Sequence, residues 1–240
     1  MTGGTRGIGR AIALRLREAG CRVAVCGRNP PEDALDGISF HAADIRDPDQ
    51  CKVLVDAVVA DHGRLDILVN NAGGSPASDA ATASPRFAEA IVKLNMLAPF
   101  YMAQAAYPHL VTAHGNIVNI ASVAGVRPSP GTTAYGAAKA GLLSMTQSLA
   151  QEWGPVGIRV NAIIVGLMQT ETAEATYGDA AAQAKVAQSL PLQRMGEGKD
   201  IADAVLYLAS PLAAYVSGAR LNVDGGGERP YFLDLVKGSE

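Results

Sequence analysis

The chain has 240 residues, 48% hydrophobic and 18% charged, with a net charge of −3. That length suits one α/β domain with a large core, and the slight acidity and lack of any basic tract argue against nucleic-acid or anionic-membrane partners. No apolar run reaches the length of a membrane span, and Met1-Thr2-Gly3-Gly4 has none of the pattern of a signal peptide. Cys21, Cys26 and Cys51 form no CxxC pair, so they read as reduced packing residues of a cytoplasmic protein. The four histidines lack metal-ligand spacing, and no metal site is expected.

The first predicted element is a loop. Thr2-Gly3-Gly4-Thr5-Arg6-Gly7-Ile8-Gly9 leads into an amphipathic helix over 8–19. Glycines there permit a tight turn and close approach of backbone to a pyrophosphate, and the helix N-terminus offers N–H groups and a favourable dipole. Gly3, Thr5, Arg6, Gly7, Ile8 and Gly9 are therefore candidate dinucleotide contacts; an ordinary glycine turn is the alternative. Such a loop normally follows a strand, and none precedes Thr2. That first strand is central in a doubly wound sheet, about 5–6 residues long and apolar. Without it two strands would lose their ladder partners, so the expectation is a natural chain that begins upstream of Met1 with that strand.

A strand over 22–26 follows and ends at Gly27-Arg28. An NAD enzyme would place Asp or Glu roughly 20 residues after the glycine loop, on the adenosine ribose. Gly27 holds that place here. Arg28 and Arg6, two guanidinium groups with no carboxylate, suit a 2′-phosphate and hence NADP(H); two solvated surface charges are the alternative. After the strand over 38–41, Asp44-Ile45 would set a carboxylate near the adenine amino group, or merely cap a loop. A helix over 48–62 and a strand over 65–70 lead to Asn70-Asn71-Ala72-Gly73. Small residues at Asn71, Ala72 and Gly73 would let the cofactor lie against the backbone.

The helix over 85–112 carries Asn95, whose carboxamide would hold a water linking Lys139 to solvent. Pro99 cannot donate to the Asn95 carbonyl, which leaves a second acceptor for that water; a kinked helix with a satisfied polar residue is the alternative. Ser122 ends the strand over 116–121, where its hydroxyl would donate to a substrate carbonyl or simply form a turn. Tyr135 and Lys139 share a face of the helix over 132–153. A nearby ammonium, and a positive nicotinamide ring, would favour the phenolate. A strand over 159–164, a lid at about 167–197 with an Ala-rich stretch over 170–190, a helix over 199–208 and a strand over 220–223 complete the chain. This alternation predicts an α/β fold: a parallel sheet with helices on both faces and ligands beyond the carboxyl ends of its strands.

Together the TGGTRGIG loop, the Asn-Asn-Ala-Gly turn, Asn95, Ser122, Tyr135-Gly136-Ala137-Ala138-Lys139 and the late Val223-Asp224-Gly225-Gly226 turn resemble the short-chain dehydrogenase/reductase family, from Thr2 to about Gly227. The resemblance implies a single Rossmann-type doubly wound domain spanning 1–240, a tetrad of Asn95, Ser122, Tyr135 and Lys139, and a homotetramer. It also implies that Val165-Gly166-Leu167-Met168-Gln169-Thr170 meets the nicotinamide end through Met168 and Thr170, although the family usually has Pro where Val165 stands. Within the family the chain looks most like 3-oxoacyl reductases and hydroxyacyl or hydroxysteroid dehydrogenases. The stretches 109–114 and 154–157 contain no Lys or Arg to grip an acidic carrier protein. A coenzyme A thioester or a free cyclic ketone is the preferred substrate, in an apolar pocket near Val126, Leu167 and Met168. Arg127, Lys185 and Arg194 are cations that an anionic group would meet. The rival reading is a non-catalytic nucleotide sensor or scaffold on the same fold.

Overall fold

The computed structural model describes residues 1–33, 35–230 and 232. Apolar, β-branched runs form parallel strands. Strand β1 (Val23–Gly27) pairs with β2 (Ile38–Ala42), and β3 (Ile67–Asn70), β4 (Asn116–Ile120), β5 (Arg159–Val165) and β6 (Arg220–Val223) pair in that order. The register aligns Val69 with Val118 and Val118 with Asn161.

Met1 and Thr2 lie between the two sets. Thr2 forms a parallel bridge to Cys26; its N–H donates to the Val69 carbonyl at 2.9 Å, and the Cys26 N–H donates to the Met1 carbonyl at 3.1 Å. The Met1 amine donates to the Ala24 carbonyl at 2.6 Å, and burial lowers its pKa. The order across the molecule is thus β2, β1, Met1-Thr2, β3, β4, β5, β6. Beside Met1 an apolar cavity separates Ala24 and Val25 from Ile67 and Leu68. Met1 and Thr2 thereby join β1 to β3 at the carboxyl end of the sheet.

Helices cover both faces. On α1 (Gly7–Glu18), Gly9, Ile12, Ala13 and Leu16 are buried at the spacing of one helical stripe. That stripe meets α8 (Gly198–Ala209), and Ile201, Val205 and Leu208 join Val25, Val118 and Ile163 in one core. On the other face α2 (Pro48–His62), α4 (Ala98–Ala113) and α5 (Thr133–Trp153) bury Leu54, Met102, Leu110 and Leu149 against Ile117 and Val160. The caps explain where helices begin and end. Asp47 accepts from the Asp49 N–H ahead of α2, and Gly63 ends that helix in the left-handed region.

The predicted helix over 85–112 is interrupted. It runs as α3 (Pro85–Val92), a π turn over Lys93–Leu97 and α4. Proline at position 99 withholds an N–H from the α-helical ladder, and the backbone widens by one residue immediately before it. The lid contains two short helices, α6 (Ala173–Tyr177) and α7 (Ala180–Ser189). Most of the apolar 230–236 stretch lies outside the described residues. Among the described residues no helix is long and apolar enough to cross a membrane.

Candidate active site

The glycine loop closes onto the turn after β3. A Cβ on Gly9 would sit 2.0 Å from the Gly3 carbonyl oxygen, and Gly3, at φ +66°, would place one 2.9 Å from the Ala72 Cα. Only glycine permits either approach. Thr2 Oγ1 accepts from the Asn71 and Ala72 N–H groups, each at 3.0 Å. Asn71 Nδ2 donates back to the Thr2 and Gly3 carbonyls at 3.1 and 2.9 Å. Arg6 precedes α1 without a side-chain cap, and the first turn of α1 has no acidic residue. The cradle thus presents the Gly7, Ile8 and Gly9 amides to an anion from elsewhere, which fits a pyrophosphate. Here the Gly7 N–H donates to Glu171 Oε1 of the lid at 3.2 Å.

At the other end of the cradle, Gly27 closes β1 with Thr5 Cγ2 3.6 Å from where its Cβ would be. Arg28 and Arg6 are exposed. Asp44 is clamped by Arg46, whose Nε lies 2.9 and 3.1 Å from the two carboxylate oxygens and whose Nη2 lies 2.5 Å from Oδ2. That hydrogen bonding holds the Asp44 carboxyl below the usual carboxylate range, with a smaller contribution from the Arg28 charge. The Ile45 side chain is in the core, and its carbonyl accepts from Cys51 Sγ at 3.2 Å. Any contact of Ile45 with an adenine must therefore run through its backbone.

Tyr135 and Lys139 stand one turn apart on α5, beside the carboxyl end of β4. Lys139 Nζ lies 5.6 Å from the Tyr135 ring centroid and donates to the Ile120 carbonyl at 2.8 Å. Burial lowers the Lys139 pKa to about 8. Burial also raises that of Tyr135; a hydrogen bond with Ser122 opposes the rise, and Tyr177 adds to it. The expected push toward the phenolate is therefore not present in the protein alone, because desolvation outweighs every favourable contact. Ser122 follows β4 as the cap of a 3-10 turn over Val123–Gly125, and its Oγ accepts from the Ala124 N–H at 3.2 Å. That role uses only a lone pair, so the Ser122 proton serves the Tyr135 oxygen.

Asn95 is fully buried. Its Nδ2 donates to the Gly74 and Ile91 carbonyls at 3.0 and 2.9 Å, and its Oδ1 accepts from the Gly74 N–H at 2.9 Å. Both amide protons are engaged, so the carboxamide clamps Gly74, while Oδ1 keeps a second lone pair as an acceptor. The clamp places Gly73 tightly between it and the ammonium: a Cβ there would be 2.6 Å from Asn95 Oδ1 and 3.2 Å from Lys139 Nζ.

The lid rises from the end of β5. Met168 is buried and bridges Gly196; the Gln169 N–H donates to the Gly196 carbonyl at 2.8 Å. Thr170 Oγ1 lies 3.3 Å from Thr172 Oγ1. Two of the three candidate cations are engaged: Arg127 Nη2 is 2.5 Å from Glu228 Oε1, and Arg194 binds Asp200 at 2.7 and 2.8 Å. Arg46, Gly74, Glu171 and Tyr177 are members of the site that the sequence reading did not single out. Only Arg46, two residues from Asp44, carried a local signal.

A protein-family model described as enoyl-(acyl carrier protein) reductase matches residues 3–228. The chain is 35% identical over 237 residues to the 3-oxoacyl-[acyl-carrier-protein] reductase FabG of Staphylococcus aureus, covering 94% of this chain and 96% of that protein. It is 34% identical over 236 residues to the 2-dehydro-3-deoxy-D-gluconate 5-dehydrogenase of Escherichia coli, covering 94% of this chain and 93% of that one. Among solved structures, an actinorhodin polyketide ketoreductase with NADPH superposes with a TM-score of 0.86 at 31% identity, covering 94% of each chain. With the glycine cradle, the parallel sheet and the Tyr135–Lys139 helix in place, the chain belongs to the short-chain dehydrogenase/reductase family of Rossmann-fold oxidoreductases.

Proposed function

We propose that the protein transfers hydride between NADP(H) and a secondary alcohol or ketone, with Tyr135 moving the proton. The observation that carries this reading is the meeting of Ser122, Tyr135 and Lys139 at the carboxyl end of β4, next to the glycine cradle. A bound nicotinamide supplies or accepts the hydride. Ser122 donates to the carbonyl oxygen as charge develops there. Tyr135 gives that oxygen its proton during reduction and takes it back during oxidation. Lys139 would hold the nicotinamide ribose, and Met168 and Thr170 would meet the carboxamide end. Asn95 keeps Gly73 and Gly74 pressed against this pair. The preferred substrates are 3-oxoacyl thioesters and cyclic ketones. A non-catalytic sensor would not need a proton donor and a cation buried together, which are costly to keep.

NADPH consumption with a panel of 3-oxoacyl thioesters and cyclic ketones tests the function. Tyr135→Phe should bind cofactor normally and lose turnover by about 10²–10⁴-fold. More than half of wild-type kcat in that variant would exclude Tyr135 as the proton donor.

NADPH should be preferred to NADH, because Arg6 and Arg28 offer charge-assisted bonds to a 2′-phosphate. Gly27 has room for an acid, with no heavy atom closer than 3.5 Å to a built Cβ. Gly27→Asp with Arg28→Ser should erode or invert the preference. Equal kcat/KM for the two cofactors in the unaltered protein would refute the assignment.

Lys139 gives a stability test. The unfolded chain keeps its proton up to the ordinary 10.5, whereas the folded protein releases it near 8. Between these values the unfolded state binds more protons, so this group makes stability rise with pH. Below 8 the buried charge costs about 3 kcal/mol relative to the neutral amine. Lys139→Met removes that dependence. In urea unfolding, the stability of the variant relative to wild type should fall by about 3 kcal/mol between pH 7 and pH 10.5. A difference that does not change with pH would be inconsistent with a strained ammonium.

The assembly we propose is a homotetramer, supported by the family resemblance and by the exposed Leu212 and Tyr215 just before β6 at the sheet edge. Light scattering should give four chains at micromolar concentration; a monomer would refute it.

A further inference from the structure

We infer that Glu171 is a built-in surrogate for the cofactor pyrophosphate, which docks the lid on the glycine cradle and must be displaced when a dinucleotide binds. This inference rests on the dinucleotide reading of the glycine loop.

Helices α2, α3 and α7 are each capped by a side chain from the residue before them: Asp47, Ser84 and Asp179. Helix α8 has a capping box of Glu197 and Asp200. Helix α1, like α5, has neither a side-chain cap nor an acidic first turn. Its anion comes instead from 164 residues away: Glu171 Oε1 accepts from the Gly7 N–H at 3.2 Å, and Glu171 Oε2 lies 3.4 Å from where a Gly7 Cβ would be. The carboxylate therefore rests on the first-turn amides that a pyrophosphate would take. Two anions cannot share those donors without strong repulsion in a site this small.

The position of Glu171 in the lid makes the contact consequential. It follows Thr170 directly and precedes α6, which buries Ala173 and carries Tyr177 toward Tyr135. The base of the lid is tied down independently through Met168, Gln169 and Gly196. Releasing Glu171 therefore frees the 170–177 stretch while its root stays fixed. On this account an arriving cofactor breaks the Glu171–Gly7 bond and re-sets the segment carrying Thr170 and Tyr177. The lid senses cofactor through one exchanged hydrogen bond.

Glu171 is exposed, so Glu171→Ala and Glu171→Gln should leave the fold intact. Binding of NADPH and NADH is measured by calorimetry, with hydrogen exchange of residues 170–177 followed with and without cofactor. Both variants should bind NADPH about three- to tenfold more tightly than wild type, the range set by losing one competing capping interaction. Without cofactor, 170–177 should exchange faster in the variants than in wild type. With saturating NADPH that difference should vanish, because Glu171 is already released in the wild type. Unchanged or weaker binding in Glu171→Ala, or an exchange difference that persists with cofactor, would overturn the displacement while leaving the dinucleotide reading standing. If wild type binds neither NADPH nor NADH, the dinucleotide reading fails and the inference fails with it.

Discussion

Four hydrogen bonds between Thr2-Gly3 and Asn71-Ala72 decide whether this molecule has a site at all. They join the loop leading into α1 to the turn leaving β3, so they link the β1–β2 pair to the four-stranded sheet at the edge where a ligand must lie. The Thr2 hydroxyl takes two backbone amides at once, and the Asn71 carboxamide returns two bonds to backbone carbonyls. Each such group would cost about 1–3 kcal/mol if buried without its partner. The glycines then become necessary rather than merely permitted. Once loop and turn are drawn together, a Cβ at Gly3 or Gly9 has no space left. The same contraction brings Gly73 against Asn95 and Lys139, so the cradle and the buried lysine share one set of contacts.

Burial acts on the two titrating groups in opposite senses. It lowers the Lys139 ammonium to about 8 and raises the Tyr135 phenol. At neutral pH the resting pair is still a protonated lysine and a neutral tyrosine, a state ready to give a proton rather than take one. Reduction of a ketone can start from it directly. Oxidation of an alcohol needs further positive charge beside the phenol, and an oxidised nicotinamide would bring it. Burial thus keeps the Tyr135 phenol protonated in the protein alone, and only positive charge brought beside it would move it toward the phenolate.

The elements were legible because their signals are local. Apolar periodicity placed β1 at 22–26 against the observed Val23–Gly27, and β6 at its observed limits. The family resemblance singled out Asn95, Ser122, Tyr135 and Lys139 as a set, and the fold brings Ser122, Tyr135 and Lys139 together beside β4. Their surroundings were not legible. The partner of the Asn95 carboxamide, Gly74, lies 21 residues away and has no local signal. Nothing near Lys139 in the sequence announces the Ile120 carbonyl or the desolvation that sets its pKa. The π turn at Lys93–Leu97 was half-visible in Pro99, which predicts a disturbed ladder but not the kind of disturbance. Glu171 is the extreme case, since its partner is separated from it by most of the chain.

The ion pairs at the mouth of the site bear on what can enter. Arg127 and Arg194 look like receptors for an anionic substrate until their partners are counted. Glu228 and Asp200 neutralise them, and Asp200 is held with its pKa at about 2. An incoming carboxylate would have to displace a carboxylate already in place, with little net gain in these exposed positions. Arg127 instead ties the start of the loop after β4 to the turn after β6. That turn in turn supports the lid, since the Leu192 N–H donates to the Gly225 carbonyl at 3.2 Å. The pairs thus frame the opening rather than select for charge.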